Sequence, residues 1–293
     1  MRIAVYGRKI TPGFFPYFRQ IFEKFRHYHA GVVLYRELAE NIRKDLDYVP
    51  DHEGIFSVYS DLGEDVDFLL SIGGDGTFLE SVSFVRKSGI PIIGINSGRL
   101  GFLANISKES LAESIDAIFR KEFTLEKRSL IELENPQGDF AEFPYALNEF
   151  AIQKIGTGMI SVEVSMDGKH INTYWADGII VSTPTGSTGY SMSVGGPIVI
   201  PGSQNFILSP IAPHNLTVRP LVIPDNHELQ IRVSERHTEY WVSMDYVSER
   251  YASHEPLILR KADFFIRILK LNNIDYFETL RSKLMWGADR RLF

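Results

Sequence analysis

A single carboxylate stands among three glycines at Gly73-Gly74-Asp75-Gly76-Thr77, directly after the apolar run Val66–Ile72. Glycine accepts positive φ values and a close backbone approach that any Cβ would block. The acid is thereby held at the mouth of a strand–turn–helix unit, where open α/β sheets bind their ligands. Outward-pointing N–H groups of a tight turn and a helix start suit phosphate oxygens. A carboxylate among phosphates fits a group that takes a proton or holds a metal. A plain turn has the same composition, since Asp and Gly are common turn residues. A second unusual segment runs from Asp177 to Ser193 and on through Val194-Gly195-Gly196-Pro197. Its small hydroxyls and glycines supply many donors with little bulk, and Tyr190 sits within it. The physical match is a polyhydroxylated, phosphorylated ligand whose aromatic base packs on Tyr190. A surface loop rich in turn formers is the plainer alternative.

The elements that must position these residues follow from periodicity. From residue 1 to about 122, apolar strand runs (Ile3–Tyr6, Val32–Tyr35, Val66–Ile72, Pro91–Ile95) alternate with helical patterns. Phe15, Phe18, Phe22 and Phe25 share one helix face and read as core. His27 and His29 lie two apart, diverge on a helix and share no metal. Further helices are expected through Asp45, over Thr77–Lys87 and over Glu109–Arg120. Such alternation predicts a Rossmann-like parallel sheet covered on both faces. From residue 123 to 269 the runs become short and often alternating: Ser129–Glu134, Tyr145–Lys154, Ile160–Met166, Ile171–Tyr174, Gly178–Ser182, Leu221–Ile223, Glu228–Val233, Glu239–Met244, Pro256–Leu259 and Phe264–Ile268. Turn signals such as Asn135-Pro136-Gln137-Gly138 and Asp167-Gly168 separate them, which predicts an all-β, sandwich-like second domain. Residues 270–293 return to helical spacing through Phe277, Leu280 and Leu284, and this helix is expected to pack back on the first domain.

The chain has 293 residues, 44% hydrophobic and 23% charged, an ordinary globular composition. Its 31 basic and 37 acidic residues leave a formal charge of −6, which disfavours a general nucleic-acid binder. There is no cysteine, so disulfides, thiolate nucleophiles and cysteine metal sites are excluded, and a cytoplasmic location is expected. No charged-then-apolar leader and no apolar run of about 18 residues is present, so neither a signal peptide nor a membrane span is expected.

The glycine-rich segments together resemble the NAD kinase family. Gly73–Thr77 is similar to its phosphate-binding acidic motif, and Asn96-Ser97-Gly98-Arg99-Leu100-Gly101-Phe102-Leu103 to the element after the following strand. Glu126-Lys127-Arg128, the pair Asn148-Glu149, the long signature Asp177–Ser193 with Gly195-Gly196-Pro197, Arg219–Ile223 and Leu280–Gly287 resemble further blocks in family order. The resemblance implies transfer of the terminal phosphoryl group of ATP, or of polyphosphate in some members, to the adenosine 2′-hydroxyl of NAD. Magnesium or another divalent cation would accompany ATP. It implies Asp75 as general base, with Gly73, Gly74 and Thr77 binding phosphate. It further implies a substrate pocket of Asp75, Gly76, Asn148, Glu149, Asp177, Thr185, Thr188, Gly189, Tyr190, Ser191, Met192, Ser193 and Ala212, and no metal ligand is assigned. The amide of Asn148 suits an adenine edge and the carboxylate of Glu149 suits ribose hydroxyls. A homodimer or homotetramer built through the β domain is also implied. Gly189 stands where many members have alanine, and Trp175 where many bacterial members carry arginine. Met244-Asp245-Tyr246-Val247 departs from the usual pattern, so no contact is carried over from it.

Overall fold

The computed structural model describes residues 1–98, 100–234, 239–252 and 255–287, so Arg99 and the last residues of the C-terminal segment lie outside the described residues. The chain forms two units, Met1–Lys127 with Ile266–Phe293, and Arg128–Phe265.

In the first unit, apolar runs without polar alternation become interior strands of a parallel sheet, because both faces of such a sheet are covered. These are β1 (Arg2–Tyr6), β2 (Gly31–Tyr35), β3 (Gly54–Phe56), β4 (Phe68–Gly73) and β5 (Ile92–Asn96). They lie in the order β3-β2-β1-β4-β5 and pair in parallel. The helices are α1 (Phe15–His27), α2 (Arg36–Leu46), α3 (Asp75–Val85) and α4 (Leu111–Phe119). Phe18, Ile21, Phe22 and Phe25 of α1 are buried in one core with Ile3 and Val5 of β1 and Ile93 and Ile95 of β5. Strand order reverses at the β1/β4 pair: β1 leads away to β2, and β4 leads the other way to β5. The carboxyl ends of strands at such a reversal leave a crevice for ligands. Asp75 follows β4 at that end.

The second unit is a sandwich of antiparallel sheets. Its chain order is β6 (Phe123–Leu133), β7 (Tyr145–Ala146), β8 (Glu149–Lys154), β9 (Ile160–Met166), β10 (Lys169–Ala176), β11 (Gly178–Ser182), the single-turn helix α5 (Tyr190–Ser193), β12 (Asn205–Ile211), β13 (Leu221–Pro224), β14 (Leu229–Val233), β15 (Tyr240–Met244), β16 (Val247–Tyr251) and β17 (Leu257–Leu271). One sheet runs β13-β12-β11-β8-β15-β16, and β10, β9, β14 and β17 are neighbours in the other. Phe150, Ile152, Ile179, Val181, Phe206 and Leu208 of the first face Val162, Val164, Leu229 and Ile231 of the second in one core. The last helix, α6 (Tyr276–Leu284), belongs to the first unit.

Three strands were absent from the sequence reading. β3 is only Gly54–Phe56, β12 carries Pro210 in a buried run, and β16 has the polar Ser248, Glu249 and Arg250 in a row. A proline inside a run argues against an interior strand. The runs Pro256–Leu259 and Phe264–Ile268 are one strand, β17, which carries Lys261 and Asp263 in between. The unit boundaries also fall inside β6 and β17 rather than at residues 122 and 269, because a strand that leaves one core and enters another shows no change of period. Among the described residues no helix is long and apolar enough to cross a membrane.

Candidate active site

β4 ends in Gly73, Gly74 is extended, and α3 begins at Asp75. The Asp75 side chain does not cap its own helix. It reaches to the loop after β5 and accepts three backbone N–H bonds: Phe102 to Oδ2 at 2.8 Å, and Leu103 and Ala104 to Oδ1 at 3.0 Å each. The loop presents these amides because it is folded back on itself and on the sheet. Gly101 N–H donates to Ala104 O at 2.9 Å, Asn96 N–H to Ile106 O at 2.8 Å, and Ser97 N–H to Gly73 O at 3.1 Å. Gly101 is required by contact: a Cβ there would fall on Asp75 Oδ1. The backbone of Phe102, Leu103 and Ala104 is therefore the seat of the Asp75 carboxylate. Lys283 of α6 completes the surroundings, with Nζ 3.8 Å from Asp75 Oδ2 and 4.4 Å from the Phe102 ring centroid. Gly74 and Gly76 face open space, which leaves their backbone accessible, and Thr77 is half-buried beside Gly73. Buried Glu80 ties α3 to the end of β1, accepting from Tyr6 Oη at 2.9 Å and Arg8 Nε at 2.7 Å.

In the second unit, Asn148 and Glu149 are held by a residue that the sequence reading set aside. Asp245 turns the chain between β15 and β16 at φ 51°. Its carboxylate accepts N–H bonds from Leu147 at 2.7 Å, Asn148 at 2.8 Å and Glu149 at 3.1 Å. Those amides leave the strand ladder, which is why the expected strand Tyr145–Lys154 is broken into β7 and β8. The side chains so placed carry buried acceptors, Asn148 Oδ1 and Glu149 Oε2, that have no hydrogen-bond partner among the described residues. A buried, unmatched acceptor is costly unless a ligand supplies a donor. Burial pushes the Glu149 carboxyl up from 4.5 to about 8; the Asp245 charge adds to this, and the Tyr190 N–H opposes it. Burial likewise raises Asp245 to about 6, against the pull of its three amide donors.

The glycine-rich signature lies against this pair. A Cβ at Gly189 would sit 3.1 Å from Glu149 Oε2, so the glycine found in place of alanine relieves crowding at the unmatched oxygen. Tyr190 Oη accepts from Gln153 Nε2 at 2.8 Å. Asp177 is ion-paired through Oδ1 with Lys154 Nζ at 2.6 Å, and its N–H donates to Ile211 O at 2.9 Å, next to Ala212 at φ 43°. Thr185, Thr188 and Met192 are half-buried and Ser193 is exposed. Ser191 differs from the expectation. It is fully buried with its hydroxyl 3.0 Å from that of Ser209, an internal peg under the loop. Lys154, Asp245 and Lys283 were missed as site residues. Only Asp245 carried a signal, an acid at a tight turn between two alternating runs.

Two outcomes follow from this geometry. Gly101→Ala is expected to displace the Asp75 carboxylate from its amides, and if that carboxylate moves a proton in a reaction, turnover is expected to fall by roughly 10²-fold or more. The expected stability loss is only ~1–3 kcal/mol, the usual cost of overpacking; a variant with wild-type turnover would show that the seat is dispensable. For Glu149, the folded chain keeps a proton that the unfolded chain has lost between about 4.5 and about 8, so the stability from this group falls as pH rises through that window. Glu149→Gln is neutral throughout. Its melting temperature is expected to match the wild type near pH 4 and to exceed it above pH 8, as read by thermal denaturation across pH.

The chain is similar to known proteins over its whole length. The family model described as ATP-NAD kinase N-terminal domain matches residues 54–123, and that described as ATP-NAD kinase C-terminal domain matches residues 147–261. The NAD kinase of Cytophaga hutchinsonii is 40% identical over 292 residues, covering 99% of this chain and 100% of that protein. The NAD kinase of Bacteroides fragilis is 40% identical over 293 residues, covering all of both. Among solved structures, an Archaeoglobus fulgidus NAD kinase in complex with ATP is similar at 27% identity and a TM-score of 0.72, covering 97% of this chain and 99% of that one. Yeast NADH kinase complexed with NADH shares the fold at a TM-score of 0.83 and 19% identity, covering 100% of this chain and 89% of that one. A carboxylate seated after β4, a paired amide and acid with open acceptors, and relatives alike over their whole length place this chain in the NAD kinase family of phosphotransferases.

Proposed function

We propose that this chain transfers the terminal phosphoryl group of ATP to the 2′-hydroxyl of the adenosine ribose of NAD, giving NADP, with Asp75 as general base. The observation that carries the reading is the Asp75 carboxylate itself. Three consecutive backbone amides hold it, and both acceptor positions of Oδ1 are filled. Oδ2 accepts one N–H and keeps a lone pair for a hydroxyl proton. In the reaction the ribose O–H proton passes to Oδ2 as the oxygen bonds to phosphorus, and the bridging P–O bond breaks to release ADP. Moving that proton in the transition state contributes roughly 10²- to 10⁴-fold. Asn148 and Glu149, with their unmatched buried acceptors, receive donors of the dinucleotide such as sugar hydroxyls. Tyr190 and the half-buried threonines supply the base-packing wall, and Gly73, Gly74, Gly76 and Thr77 the backbone surface for phosphates.

Among the described residues, no group of three or more His, Asp or Glu side chains could hold a metal ion. These residues do not fit a resident ion, and the divalent cation enters with the donor as magnesium–ATP.

The experiment is incubation with magnesium–ATP and NAD, with NADH and polyphosphate in parallel, reading NADP or NADPH. Formation of NADP from NAD is expected; no phosphorylation of either dinucleotide with either donor overturns the reading. Asp75→Asn is expected to keep the fold and NAD affinity while turnover falls by roughly 10²-fold or more. Turnover near that of the wild type would remove Asp75 as the base.

A further inference from the structure

Lys283 has no part in the chemistry just described, yet it is the cation set against the reacting carboxylate. Its helix is built to hold it there. Asp275 caps α6 by accepting from Phe277 N–H at 3.3 Å and Glu278 N–H at 3.2 Å, and Thr279 and Leu280 are its buried residues. Residues three apart share a helix face, so burial of Leu280 turns Lys283 inward. The Lys283 side chain is 24% exposed. Its Nζ lies 3.8 Å from Asp75 Oδ2, beyond hydrogen-bond reach, and 4.4 Å from the centre of the Phe102 ring. The ammonium is thus attracted to the carboxylate and to the ring face without spending a donor on either.

That arrangement does little to orient Asp75, which its amides already fix. It answers a different need. A polyphosphate brought to a carboxylate meets like-charge repulsion, and the repulsion grows as water is excluded. A compact ammonium on a flexible stem, with three rotatable donors, can serve the carboxylate before the donor arrives and a phosphoryl oxygen afterwards.

We propose that Lys283 binds the terminal phosphate of the donor nucleotide and neutralises it during transfer, its ammonium moving from Asp75 to a phosphoryl oxygen. This rests on the reading of Asp75 as base and ATP as donor. Lys283 stays protonated throughout. The ribose proton goes to Asp75, the O2′–P bond forms, and the electrons of the breaking bridge leave on ADP.

The test separates donor from acceptor. In Lys283→Gln, kcat/KM for magnesium–ATP is expected to fall roughly 10- to 100-fold, the scale of a lost charge-assisted hydrogen bond. The KM for NAD should stay within about twofold, and Lys283→Arg should retain most of the activity. Equal losses for ATP and NAD, no loss at all, or an arginine variant as poor as glutamine overturns the proposal. Amine-reactive labelling of the wild-type chain, read by mass spectrometry, does not depend on a variant folding. Magnesium–ATP is expected to protect Lys283 and NAD is not; labelling equal with and without ATP counts against the contact. If Asp75→Asn proves active, the base assignment falls by itself, and the ATP-specific loss and protection at Lys283 still decide this proposal.

Discussion

The clasp between the Asp75 carboxylate and the backbone amides of residues 102–104 is the constraint on which the placement of that carboxylate depends. A turn made of glycines frees the backbone to approach a ligand, but the same freedom cannot aim a side chain. Aim comes from the neighbouring strand. β4 and β5 pair in register through Gly73 and Asn96, so the loop that leaves β5 starts beside the turn that leaves β4. Hydrogen bonds to an ionised acceptor are stronger than neutral ones, so three of them add to the backbone bonds that order the loop. Gly101 is the condition for the clasp, since any side chain there would occupy the place of the carboxylate oxygen.

The second unit uses the same device for a different end. Asp245 also collects three consecutive amides, those of Leu147, Asn148 and Glu149, but it stands behind them. Its work is to pull a segment out of the ladder so that two polar side chains face inward with acceptors unmatched. The cost of holding Glu149 there shows in its carboxyl, raised to about 8 by burial and by the Asp245 charge. A group so placed is poised for a ligand that brings hydroxyl donors, because their bonds favour the ionised form that burial disfavours.

Much of this was legible in the residues. Phe18, Phe22 and Phe25 at helical spacing and the unbroken runs of β1, β4 and β5 reveal a covered parallel sheet, because period and burial are local properties. Asp75 stood out by itself as an acid among glycines, whereas Asn148, Glu149 and Gly189 were singled out only through the resemblance, because two polar residues on a strand and a glycine in a loop have plainer readings. What stayed hidden is what topology brings together. Nothing near Asp75 in the chain says that its partners are the amides of residues 102–104, or that Lys283 returns to it. β12 was hidden by Pro210, and the burial of the Ser191 hydroxyl was hidden because a serine in a glycine-rich loop looks the same whether it faces a ligand or Ser209.

The charge pattern carries the remaining argument. The chain has a net charge of −6, with Asp75 in the first unit and Glu149, Asp177 and Asp245 in the second. Each acid is offset locally and by a different means. Asp75 has three amides and a distant ammonium; Asp177 has Lys154 in direct contact; Asp245 has three amides; Glu149 has the Tyr190 N–H and, with its carboxyl raised to about 8, keeps its proton at neutral pH. A global excess of acid therefore says little about what a site accepts, because a few ångströms of arranged donors outweigh charges screened by solvent across the surface. It also separates the two lysines. Lys154 is bound tightly to Asp177 and its charge is spent, whereas Lys283 stands off from Asp75 with its charge still available to whatever enters.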